Sequence, residues 1–150
     1  MEQITVTPIG VVRVDEAAQA TTRWRSLISH IEVDEAYAQG LDGLENWSHI
    51  VVIFSMHETK FDPETDLHNR PEGQTDMPET GVFAQRSHRT PNTLGMTTVK
   101  IKSIDGNVLT VQGLDANDGT PVLDIKPYAP VYDGAPDPLV PVWFLRLMQS

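Results

Sequence analysis

At 150 residues the chain is long enough for one real core, since a chain of this size buries roughly 70% of its extended surface on folding, and we expect a single domain over 1–150. It has no cysteine, which excludes a disulfide scaffold, a thiolate zinc site and a cysteine nucleophile. The net charge of −10 argues against partners held mainly through phosphate, because that affinity comes from Lys and Arg releasing counterions.

The opening MEQITVTPIGVV has no basic leader, and no apolar run in the chain is long enough to span a bilayer, so a cytoplasmic protein is expected. Neither a membrane nor DNA is expected as a partner. Residues 4–6 and 9–14 cluster β-branched side chains around Pro8 and Gly10, which predicts an opening strand with a bend. A polar stretch follows over 15–25. Residues 30–33 read as a second strand, and 34–40 as a short helix capped by Asp34 and closed by Gly40. The run SHIVVIF, 48–54, is the most apolar in the chain and too β-branched for a natural helix; it predicts a central strand.

Pro63, Pro71, Gly73 and Pro78 break any period over 58–80, which predicts a long loop. Residues 81–84 read as a strand and 85–93 as turn-rich. MTTVKIK, 96–102, alternates; Asp105-Gly106 is a hairpin turn, and 108–111 its returning partner. Asp118-Gly119-Thr120-Pro121 is a tight turn leading into a strand at 122–125, and the apolar run 140–148 fits a strand or a short helix. Six or more strands with little helix predict a mainly β fold, a small antiparallel β-barrel with a short helix and long loops.

The sequence carries no Walker loop, no H-E-x-x-H, no G-x-S-x-G and no strand-linked G-x-G-x-x-G, and its five histidines lack the spacing of a helix ligand set, so no metal is expected. His49 reads as structural, while His57 with Glu58 either anchors the loop or binds a ligand. Arg86, Arg89 and Asn92 collect donors in one loop, and Arg70 lies in the loop before it. Guanidinium forks there suit carboxylates or phosphates as well as they suit solvent.

Seven blocks then occur in order: PIGVVR at 8–13, IEVDEAYAQGLDGLENWSHIVVIF at 31–54, His57, RPEG at 70–73, GVFAQRS at 81–87, PNTLGM at 91–96 and GLDANDGTPVLDIKPY at 113–128. Together they resemble the TsaA-like, or TrmO-like, S-adenosylmethionine-binding family over most of 5–133. The resemblance implies a compact β-barrel, S-adenosylmethionine as methyl donor, a homodimer with the cofactor pocket near the subunit interface, and N6-methylation of threonylcarbamoyladenosine beside the tRNA anticodon. On matching positions it implies cofactor contacts from Ser26, Leu27, His57, Glu58, Arg86, Leu94, Met96, Gly113, Leu114, Asp115 and Ala116. Asp115, Asp118 or His57 would accept the acceptor proton, and Asn92 would orient the acceptor. One departure stands out: RSHRTPN places Thr90 where the family more often has an arginine, with Arg89 beside it. A small-molecule acceptor and a non-catalytic S-adenosylmethionine-binding module are the alternatives.

Overall fold

The computed structural model describes residues 1–149, which gather into two compact units, one from 1–58 and 94–128, the other from 59–93 and 129 onward. The strands are β1 (Gly10–Arg13), β2 (Ile28–Val33), β3 (His49–Ser55), β4 (His68–Asn69), β5 (Thr80–Gly81), β6 (Leu94–Asp105), β7 (Val108–Gln112) and β8 (Pro121–Pro127). The helices are α1 (Glu16–Thr21), α2 (Pro63–Asp66), α3 (Pro130–Asp133) and α4 (Val142–Leu147), with several 3-10 turns between elements. Among the described residues no helix is long and apolar enough to cross a membrane.

In the first unit six strands close into an antiparallel barrel in the order β1-β2-β7-β6-β3-β8. The period-2 pattern of each strand decides which side chains fill it. On β2, Ser29, Ile31 and Val33 alternate inward; on β3, Ile50, Val52 and Phe54 do the same. Leu109 and Val111 of β7, Val99 of β6, Val122 of β8 and Val12 of β1 complete the filling. Each such side chain contributes about 1.5–3 kcal/mol by leaving water.

The predicted central strand and the Asp105-Gly106 hairpin form as expected, and β6 proves longer than predicted. Its first half pairs with β3 and its second with β7, so that Lys100 lies opposite both His49 and Gln112. Other expectations are corrected. Residues 4–6 form no strand, and Ile4 and Val6 are exposed. The polar stretch at 15–25 contains α1, capped where the Asp15 carboxylate accepts the Ala18 N–H at 3.0 Å. The expected helix at 34–40 is a 3-10 helix, Glu35–Leu41, with Asp34 capping Ala36. The expected strand at 81–84 is β only at Gly81: the Gln85 N–H turns back to the Val82 carbonyl, winding Val82–Ala84 into a 3-10 turn. The closing apolar run resolves as the helix α4.

The barrel seam between β1 and β8 is short, pairing only Gly10 with Val122 and Val11 with Pro121. The turn before β8 lengthens it. The Val12 N–H donates to the Thr120 carbonyl at 2.9 Å, the Gly119 N–H to the Val12 carbonyl at 2.8 Å, and the Val14 N–H to the Asp118 carboxylate at 3.0 Å. Gly119 carries φ +79, the positive value that made glycine the expected residue at this turn.

In the second unit, β4 and β5 form a two-stranded sheet. The Gln85 amide nitrogen clips it, donating toward the carbonyl and side-chain oxygens of both Asn69 and Thr80 at 3.0–3.2 Å. The Arg70 guanidinium bonds the Met77 carbonyl and pairs with Glu79 at 3.6 Å. Asp66, buried at 4% exposure, accepts the Asp62 N–H at 2.8 Å and faces Arg89 at 3.8 Å.

Two measurements check this packing. A Cβ on Gly95 would meet the Phe54 ring at 2.2 Å, so Gly95→Ala should lower stability by about 1–3 kcal/mol in urea unfolding. Combining it with Phe54→Leu should cost less than the sum of the two single changes, and strict additivity would show that this contact is not the cause. Asp118→Ala should cost about 1 kcal/mol and speed exchange of the Val14 amide, because that N–H loses its acceptor.

Candidate functional site

Because barrel neighbours run antiparallel, the strand ends at Arg13, Ile28, Gln112, Leu94, Ser55 and Pro121 all point to the same end of the barrel. The segments joining them form its rim: 14–27, the residues after Ser55, and the β7–β8 loop. Nearly all the site residues expected in the first unit lie on this rim or one step inside it. They come from parts of the chain distant in sequence, and hydrogen bonds tie those parts together. The Gly113 N–H donates to the Leu27 carbonyl at 3.0 Å. The Asn117 amide nitrogen donates to Glu58 at 2.8 Å, and its oxygen accepts from the Gln19 amide at 2.8 Å. His57 Nε2 lies 3.8 Å from Glu58.

The rim residues differ in what they can offer. Leu27, Leu114 and Ala116 are buried, the last two within the barrel core, so only their backbone is left for a ligand. Ser26, His57, Glu58 and Asp115 are exposed. Glu58 and Asp115, when ionised, only accept hydrogen bonds and so suit a hydroxyl or ammonium donor. Leu94 and Met96 point outward from β6 with about half of their surface free, 51% and 54%, an apolar edge beside the polar one. Gly113 has φ +89, and a Cβ there would stand 3.3 Å from the Arg25 carbonyl, so this position keeps the Arg25 and Gly113 backbones close. Asp118 sits on the same loop, its carboxylate bonded to the Val14 N–H.

Arg86 and Asn92 belong to the second unit, and both are exposed. Asn92 occupies the third position of a turn in which the Thr93 N–H returns to the Thr90 carbonyl at 3.0 Å. Thr93 itself holds φ +48, which is uncommon for a β-branched residue. The Arg89 N–H donates to the Ser87 hydroxyl at 3.0 Å.

Two rim residues and one inside the barrel escaped the sequence reading. Gln19 and Asn117 meet across 98 positions of the chain, and no local pattern announces such a pair. Ser29, two residues into the barrel from Leu27, has a fully buried hydroxyl without a hydrogen-bond partner. A buried hydroxyl left unpaired is costly, so Ser29 departs from the apolar filling of the rest of the barrel.

Residues 14–134 match the model of the tRNA-methyltransferase O N-terminal domain. A protein of Archaeoglobus fulgidus named S-adenosyl-L-methionine-binding protein is 39% identical over 130 residues, covering 84% of this chain and 90% of its own length. The human tRNA (adenine(37)-N6)-methyltransferase is 35% identical over 115 residues, covering 73% of this chain and 24% of its own. Among solved structures, TrmO from Pseudomonas aeruginosa superposes with a TM-score of 0.71 at 26% identity, over 95% of this chain and 62% of that one. The chain thus spans less than two thirds of the solved TrmO and about a quarter of the human enzyme, yet nearly all of the archaeal relative. With a family match over most of its length and the same barrel, the chain belongs to the family of tRNA-methyltransferase O N-terminal domains.

Proposed function

We propose that this chain is an S-adenosylmethionine-dependent methyltransferase acting on N6 of threonylcarbamoyladenosine beside the tRNA anticodon. The observation that carries the reading is the convergence, on one barrel rim, of the segments that the family resemblance assigns to the cofactor: Ser26-Leu27, His57-Glu58, Leu94 to Met96, and the loop from Gly113. The names of the archaeal and human relatives support the cofactor and the acceptor respectively. We take 1–150 as one functional domain, cytoplasmic and acting as a homodimer. The nearly complete exposure of Val131, Tyr132 and Leu139 supports a partner copy that covers them.

The rim fits the cofactor chemically. Glu58 and Asp115 are acceptors for ribose hydroxyls or an ammonium, and Leu94 and Met96 give an apolar edge for a purine. When bound, the cofactor supplies a methyl group activated on a sulfonium. The chain's share is to align the acceptor nitrogen, exclude water and take up the N6 proton. A carbamoyl group on N6 makes that proton more acidic than a plain amine's, so a modest base is enough. We assign proton uptake to Asp115, an exposed carboxylate on the rim loop, and the turn-holding role to Asp118, which accepts the Val14 N–H. The family resemblance gives Arg86 the role of binding the cofactor carboxylate or the RNA backbone and Asn92 that of orienting the acceptor through its amide, and both residues belong to the second unit.

A second reading, methylation of a smaller acceptor, draws on the −10 charge and on Thr90 in place of an arginine. One experiment separates these. S-adenosylmethionine should bind in calorimetry, and labelled methyl should enter threonylcarbamoylated tRNA. Transfer only to an RNA-free metabolite extract would favour the second reading, and binding without transfer to any fraction a non-catalytic module. Asp115→Asn should lower turnover at saturating cofactor by about 100-fold or more; unchanged turnover would remove Asp115 from the mechanism.

A further inference from the structure

We infer that Asn117 is a positioning residue that locks the Glu58 carboxylate on the rim, an inference that rests on the function proposed above. Glu58 follows the end of β3, with its side chain 61% exposed. A glutamate in that setting samples several rotamers unless something holds it. His57, at 3.8 Å, is too far for a hydrogen bond. The Asn117 amide is not: its nitrogen donates to Glu58 Oε2 at 2.8 Å.

The chemistry fixes the orientation of the amide. An ionised carboxylate offers no proton, so the NH₂ end of Asn117 must face Glu58, which turns its oxygen toward the Gln19 amide donor on α1, again at 2.8 Å. Both ends of Asn117 are therefore engaged, and its backbone is held as well. The Asn117 carbonyl accepts the Thr120 N–H at 3.2 Å, closing the turn in which Asp118 bonds Val14. A rigid anchor reaches from the β1–β8 seam, through one side chain, to a carboxylate otherwise free to swing. The bond uses one lone pair of about four on that carboxylate. Those remaining can take ligand hydroxyls, and the rotamer cost of binding has already been met by the apo protein.

The test has two arms. In calorimetry with S-adenosylmethionine, Asn117→Ala should raise Kd about 3- to 10-fold, the range expected from releasing one side chain. In a Glu58→Ala background the same change should add nothing; an equal loss in both backgrounds would overturn the inference by showing that Asn117 does not act through Glu58. In the apo protein, NMR order parameters of the Glu58 side chain should fall in Asn117→Ala and stay near wild type in Lys102→Ala, an exposed-site control for handling effects. A Glu58 side chain equally ordered with and without Asn117 would overturn the inference. If the wild type binds no S-adenosylmethionine, the proposed function fails, and the apo measurement alone decides whether Asn117 holds Glu58.

Discussion

A barrel works only if it closes, and in this chain closure rests on the shortest seam. The other five seams each run through four to seven paired residues, whereas β1 and β8 share two. Two pairs would leave much of β1 as an open edge with unpaired backbone groups. The Asp118-Gly119-Thr120 turn fills that gap, giving β1 two further hydrogen bonds at Val12 and bonding Val14 just beyond it. Stability and site geometry are thereby coupled. The loop that forms one wall of the rim cannot shift far without loosening the closure of the barrel behind it.

That coupling explains why a rim made of connecting segments can be ordered. Loops are normally where backbone is least determined. Here the loop from Gly113 is tied at its start to the Leu27 carbonyl, in its middle through Asn117 to Gln19 and Glu58, and at its end to β1. A site assembled from such ties arrives with its acceptors already placed, which is what in-line transfer between two bound molecules asks of a protein.

How much of this was legible in the sequence follows from the range of each interaction. The strand at 48–54 and the turns at Asp105-Gly106 and Asp118-Gly119 could be read because one segment's composition decides each of them. The helix α1 could not, since none of its residues is buried and so no apolar period marks it. At 81–84 the apolar letters of Gly81-Val82-Phe83-Ala84 suit a strand or a tight turn equally, and the return of the Gln85 N–H to the Val82 carbonyl closes the turn. The rim was legible only as blocks of resemblance. What the blocks cannot convey is pairing across the chain: Asn117 with Glu58 spans 59 positions, and the unpaired hydroxyl of Ser29 depends on what the other strands fail to offer it.

The charge of the chain constrains how an RNA acceptor would be held. Of its eleven basic residues, Arg13 pairs with Glu32, Arg70 with Glu79, Arg89 with buried Asp66 and Lys126 with Asp124. These cations are partly neutralised before any phosphate arrives, and the excess of acids opposes a long polyanion. Counterion release is therefore a small part of the attraction. Recognition must lean on directional contacts, hydrogen bonds to base edges and stacking on exposed side chains, which single-stranded loops offer and duplexes hide. An anticodon loop is such a target. On this account the acidic composition is compatible with the proposed acceptor if the chain holds it as an unpaired base, by shape and hydrogen bonding rather than through its backbone by charge.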